Sequence, residues 1–168
     1  MKRLLKGTLT LTLMLIILVL ITTNVYAANG PSFNVALTGD KTAKQGSDIK
    51  ITISVKDLVD IGGSANAIVD VSGMIQYDET KLEVDKAKSA EGLNGFDTLW
   101  GTILDINNPN GVTTNNAGIA TITFHVKENA ALGDTTITFS GIAGSNGTTD
   151  ILTTDAKHTI TITRSNRW

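Results

Sequence analysis

The chain has 168 residues, with 14 Lys and Arg against 16 Asp and Glu, two His and no cysteine. That length supports one sizeable core rather than two, and without thiols there are no disulfides, cysteine nucleophiles, thiolate metal sites or lipid anchor on an N-terminal Cys. Lys41, Lys44, Lys50, Lys56, Lys81, Lys86 and Lys88 are interleaved with acids, which excludes the clustered positive footprint that nucleic acid requires.

Residues 1–27 carry a basic start (Lys2, Arg3, Lys6), an apolar run over 9–21 and a small residue at Ala27. This predicts a secretory signal peptide cut after Ala27, and hence a secreted, extracellular or cell-surface protein. The run is only slightly short of the roughly 20 residues of a spanning helix, so membrane contact is expected only if the segment stays uncut. Cleavage leaves 28–168 as a single domain with its core over 33–163, carrying 11 basic and 16 acidic groups.

Strand-like alternation begins at once. Phe33, Val35 and Leu37 alternate with Asn34, Ala36 and Thr38, then Ile49, Ile51, Ile53 and Val55 alternate with Lys50, Thr52 and Ser54 across a turn at 43–47. Residues 57–66, with Gly62-Gly63-Ser64, read as a loop. The longest strand follows. Val69, Val71, Ile75 and Tyr77 share one parity with Gly73 between them, while Asp70, Ser72, Met74 and Gln76 share the other, so one face is predicted buried and one wet. Asp78-Glu79-Thr80-Lys81 is a turn, and Leu82 and Val84 resume the pattern.

Between 86 and 116 Gly and Asn punctuate the chain, with one or two strands predicted inside 98–106. The segment 105–111 reads as a polar turn. It has Pro109 where a calcium loop of the EF-hand kind needs its fifth ligand and Asn116 where that loop needs its bidentate Glu. No cofactor is predicted, and surface calcium on scattered carboxylates stays open. Alternation returns with Ala120, Ile122, Phe124 and Val126, then Ile137 and Phe139; 141–149 reads as loose, and Ile160 and Ile162 mark the last strand. About seven to nine short strands without a helical period predict an all-β, two-sheet antiparallel β-sandwich of jelly-roll type.

The candidate sites are few. Asp70, Ser72, Met74 and Gln76 form a face open to a partner, or simply a solvated one. Phe33, Tyr77, Phe124 and Phe139 fall on core parity, which leaves Phe96, Trp100 and Trp168 for other work. Trp100 is read as a core plug, with a carbohydrate contact as the alternative. His125 and His158 lack the spaced partners of a zinc site. No G-x-S-x-G elbow occurs, and the chain is read as non-catalytic. Asn146-Gly147-Thr148 fits a glycosylation sequon.

Four segments together carry a resemblance. These are 34–37 with 45–55; Gln76-Tyr77-Asp78-Glu79-Thr80-Lys81-Leu82-Glu83-Val84; 118–127, closing in Phe124-His125-Val126; and 132–139. Over about residues 33–162 the chain resembles the cohesin module of cellulosome scaffolds. The resemblance implies a jelly-roll sandwich of about nine strands, without enzymatic activity, that binds a dockerin, a small calcium-loaded helical module, through one face. It places the partner surface on Asp70, Ser72, Met74 and Gln76, in an extracellular polysaccharide-degrading or surface assembly. One alternative is a carbohydrate-binding module of the same superfamily, with polysaccharide as ligand. Another is a surface or matrix protein that self-associates through Thr-rich edges at Thr135-Thr136 and Thr159, Thr161 and Thr163.

Overall fold

The computed structural model describes residues 30–63 and 66–165; the predicted signal segment and Trp168 lie outside them. Among the described residues, twelve strands form two sheets. They are β1 (Ser32–Gly39), β2 (Thr42–Lys44), β3 (Asp48–Val59), β4 (Ile68–Gln76), β5 (Leu82–Glu83), β6 (Ala90–Gly92), β7 (Asp97–Trp100), β8 (Leu104–Val112), β9 (Ala117–Val126), β10 (Gly133–Ser145), β11 (Asp150–Leu152) and β12 (Ala156–Thr163). The first sheet runs β1-β3-β9-β5, with β6 also on β9. The second runs β2-β12-β10-β4-β8-β7, with β11 also on β10. Pairing is antiparallel except between β12 and β2. The excess over the expected strand count lies in pieces of two to four residues (β2, β5, β6, β7 and β11), too short to show an alternation.

The predicted aliphatic rows meet between the sheets. Ile51, Ile53 and Val55 of β3 and Ile122, Phe124 and Val126 of β9 are fully buried, as are Val71, Leu104, Ile106, Ile137, Phe139 and Ile160 from the other layer. Burying each such side chain contributes about 1.5–3 kcal/mol, which is how a chain without disulfides can hold two layers together. Tyr77 is partly buried with its ring edge-on to Phe124, centroids 5.2 Å apart. Burial first, and the Glu79 charge second, push its hydroxyl pKa up.

Several expectations need correction. The segment 105–111 is not a turn but most of β8, because Asn108 continues the inward row of Leu104 and Ile106 and is buried with its amide satisfied. Its Nδ2 donates to the Asn94 carbonyl (3.1 Å) and its Oδ1 accepts from the Asn110 N–H (2.9 Å). The stretch 141–149 is not uniformly loose, since β10 runs on to Ser145. A bulge with Gly141 at φ 60° shifts the inward positions from Phe139 to Ile142, and that break hides the alternation. A second register shift, between Ile68 and Asp70, buries Ile68 and leaves Val69 only half-buried. Phe96 is buried rather than free.

Of the Thr-rich stretches, Thr135-Thr136 is not on an edge and Thr161 and Thr163 are covered. β10 lies between β12 and β4, and β12 has β2 on its outer side over Thr161–Thr163. Thr135 itself is buried, and among the described residues its hydroxyl has no hydrogen-bond partner. Thr135→Val removes that stranded hydroxyl at nearly constant shape. It is expected to stabilise the domain by about 1 kcal/mol, read as a higher urea midpoint; an unchanged or lower midpoint would show that the hydroxyl is satisfied in solution.

Candidate functional site

Directly opposite residues of paired strands share a face, so the register of the second sheet sets out its outward surface row by row. One row reads Asp150, Ser145, Asp70, Asn107, Asp97 across β11, β10, β4, β8 and β7. The next reads Leu152, Ala143, Ser72, Asp105, Leu99. Met74 stands beside Ser140 in the third, and Gln76 beside Thr138 and Lys157 in the fourth. The predicted Asp70, Ser72, Met74 and Gln76 do lie side by side on the outward face of a central strand. From Asp70 onward the parity read from the sequence holds.

The sequence reading missed what flanks them. Leu99 is 74 % exposed and Leu152 80 %, which makes the two ends of the second row apolar, and Met74 on β4 is 43 % exposed. The middle of the face is acidic. Asp70 is half-buried, with Asn107 directly opposite on β8 and Asp105 in the next row. Burial, then the Asp105 hydrogen bond and charge, then the Asp150 charge push its pKa up to about 6, against a smaller lowering by Asn107. Asp105 and Asp150 reach this site through long-range register, and no local pattern announces such pairings.

The remaining candidates separate from this face. Trp100 is 9 % exposed, packed in the core, with Lys86 Nζ 5.8 Å above its ring. That is the geometry of the core-plug reading, and it presents no flat ring to a sugar. His125 and His158 lie on different sheets. His125 Nδ1 stands 2.7 Å from Asp48 Oδ1 beside a groove of about 410 Å³ lined also by Glu83, Asp85, Ser89 and Thr123, while His158 Nε2 meets the Asp40 carbonyl at 3.0 Å. Among the described residues no three His, Asp or Glu side chains converge to hold a metal ion. The sequon residue Asn146 is buried, and its Nδ2 donates to the Ile61 carbonyl at 2.6 Å.

The architecture and this face define a two-sheet β-sandwich with a broad, apolar-edged surface on a sheet whose central strand is paired on both sides. Comparison with solved structures then gives the fold its name, that of cohesin modules. The cohesin module of a family 33 glycoside hydrolase from Clostridium perfringens superposes with a TM-score of 0.66 at 6 % identity, over 81 % of this chain and all of that one. A type I cohesin from a cohesin–dockerin complex of Clostridium thermocellum gives 0.57 at 17 % identity, over 79 % and 99 %. The seventh ScaB type I cohesin of Pseudobacteroides cellulosolvens gives 0.55 at 18 %, over 80 % and 94 %. No family model and no curated protein matches the sequence.

Proposed function

We propose that this chain is a secreted, non-catalytic docking module that captures a dockerin-bearing protein on the outward face of β10, β4, β8 and β7, in an extracellular polysaccharide-degrading or cell-surface assembly. The observation that carries the reading is the surface itself. Exposed Leu99 and Leu152 stand at the two ends of the row through Ser72, with exposed Met74 in the next row, and a partner docked there would take these large apolar side chains out of water. The cohesin fold, and the cohesin–dockerin complex among its structural relatives, support the choice of partner.

The test is capture of calcium-loaded dockerins from a recombinant panel on the immobilised domain, together with a pull-down from the secreted proteins of the source culture. Asp70→Lys combined with Met74→Lys places two cations on the patch while leaving the core untouched. It is expected to weaken capture at least about tenfold. Capture at wild-type strength by this double variant would remove the face from consideration.

A further inference from the structure

We infer that Asn110 is a site of self-modification: in the folded domain its side-chain amide is lost to attack by the backbone nitrogen of Gly111, while Asn94 and Asn146, each also followed by glycine, are held unreactive. The inference is independent of the choice of partner, and its only co-reactant is water.

Asparagine is a thermolabile residue, and a glycine after it presents a backbone nitrogen that no Cβ screens. Among the described residues Asn94, Asn110 and Asn146 precede a glycine. Read locally, the three are equivalent. Their surroundings are not.

Asn146 is buried, its Nδ2 and Oδ1 are engaged by Ile61, Thr148 and Thr149, and the Gly147 N–H that would have to attack it donates to Ser145 Oγ at 3.1 Å. Asn94 is exposed but tethered. Its Nδ2 donates to the Gly118 carbonyl at 2.8 Å, and the Phe96 N–H closes on the Leu93 carbonyl at 3.0 Å. With Asn94 at φ 54° and Gly95 at φ 82° between them, this is a tight turn of the mirror-image kind joining β6 to β7. In both places the amide carbon can meet the next nitrogen only after these bonds open.

Asn110 carries no such restraint. It is exposed, and its side chain hydrogen-bonds to no described residue. It lies in an irregular widening of β8, where the register against β4 passes from Ile68–Val112 to Asp70–Asn107, so that residues 108–111 stand against Val69 alone. Inward-facing Asn108 anchors one end of this widening and Gly111, at φ 63°, the other. A Cβ on Gly111 would stand 2.7 Å from Ala67 Cβ and 2.9 Å from the Ile68 carbonyl oxygen. Close approach to the start of β4 therefore demands glycine here, and Asn110 acquires a reactive neighbour for a packing reason.

The Gly111 nitrogen bonds to Asn110 Cγ, the Cγ–Nδ2 bond breaks, and ammonia leaves with the Gly111 proton, closing a succinimide ring. Water then opens one of the two ring carbonyls. Opening at Cγ leaves aspartate, and opening at the main-chain carbon leaves isoaspartate, with the backbone rerouted through the side chain. Either product adds a negative charge to β8, the strand that carries Asp105. The extra main-chain carbon of isoaspartate falls where the ladder is already interrupted.

The experiment ages the purified protein in mildly alkaline buffer, folded and in urea, then digests it at acidic pH. Peptides holding residues 94, 110 and 146 are followed by mass for conversion of amide to acid, and an isoaspartate-specific methyltransferase marks the isomer. In the folded protein Asn110 is expected to convert at least about tenfold faster than Asn94 and Asn146, whereas in urea the three rates converge. Asn110→Gln should end conversion at that position and leave the other two rates unchanged. Folded-state conversion at Asn94 or Asn146 as fast as at Asn110, or an Asn110 that converts in urea but stays intact in the folded protein, overturns the inference.

Discussion

Phe139→Ala is expected to cost the domain about 3–5 kcal/mol of stability, the usual price of truncating a fully buried phenylalanine. Phe139 is completely buried on β10 and lies opposite Ile75 in the pair that β10 makes with β4. Its ring does more than fill volume. A Cβ placed on Gly73 would stand 2.6 Å from Phe139 Cε2 and 2.9 Å from the Ser140 carbonyl oxygen. Gly73 thus has no side chain because the phenyl ring occupies that space, and the ring supports β4 from below at the position between Ser72 and Met74.

Removing the ring leaves a cavity directly beneath the proposed docking strand. Denaturant unfolding of purified variants checks the prediction, with Phe139→Leu as the smaller step, because a leucine fills much of the space. A loss below about 1 kcal/mol for Phe139→Ala would mean that the two layers close over the gap. If capture weakens in Phe139→Ala well before the fold is lost, the core beneath β4 is also what keeps the outward face in register.

Local alternation made much of this fold legible. The rows of β1, β3, β9 and the first half of β10, and the two faces of β4 beyond Asp70, follow from every-other-residue patterning, because a sheet with one buried side imposes that period on the sequence. The failures occur where the chain departs from the period or where a residue type misleads. The bulge at Gly141 moved the inward row by one residue and hid the second half of β10. Asn107-Asn108-Pro109-Asn110 has turn composition, yet Asn108 is held inside by two hydrogen bonds, so its polarity costs little in a strand. Half of the proposed site was visible in the same way, as the wet parity of β4. The other half, Leu99, Asp105, Asp150 and Leu152, lies on two local hairpins, β7–β8 and β10–β11, that meet β4 only through the distant β4–β8 and β4–β10 pairs, and register of that kind is fixed by the assembled core rather than by any local segment.

The sequon at Asn146 is expected to stay unmodified on the folded domain, and Asn146→Ala to destabilise it by about 2–3 kcal/mol. Asn146 is 3 % exposed in the connection from β10 to β11. Its Nδ2, the atom a glycan would need, donates to the Ile61 carbonyl at 2.6 Å, and its Oδ1 accepts from the N–H groups of Thr148 and Thr149 at 3.0 and 2.8 Å. One side chain thus closes the β10–β11 turn and ties it to the chain that leads into β4. Alanine would leave the Ile61 carbonyl without its donor and take away the acceptor that holds the turn at Thr148 and Thr149; aspartate would keep the acceptors, lose the donor and bring a charge inside. Both should lower the urea midpoint, with Asn146→Ala also loosening the hairpin that carries Asp150 and Leu152 and so weakening the proposed capture. Secretion from a glycosylating yeast followed by intact mass measurement checks the first half of the prediction. A glycan on protein that still unfolds cooperatively at the wild-type midpoint would show that Asn146 faces solvent, and the anchoring of this end of the docking face would have to be assigned elsewhere.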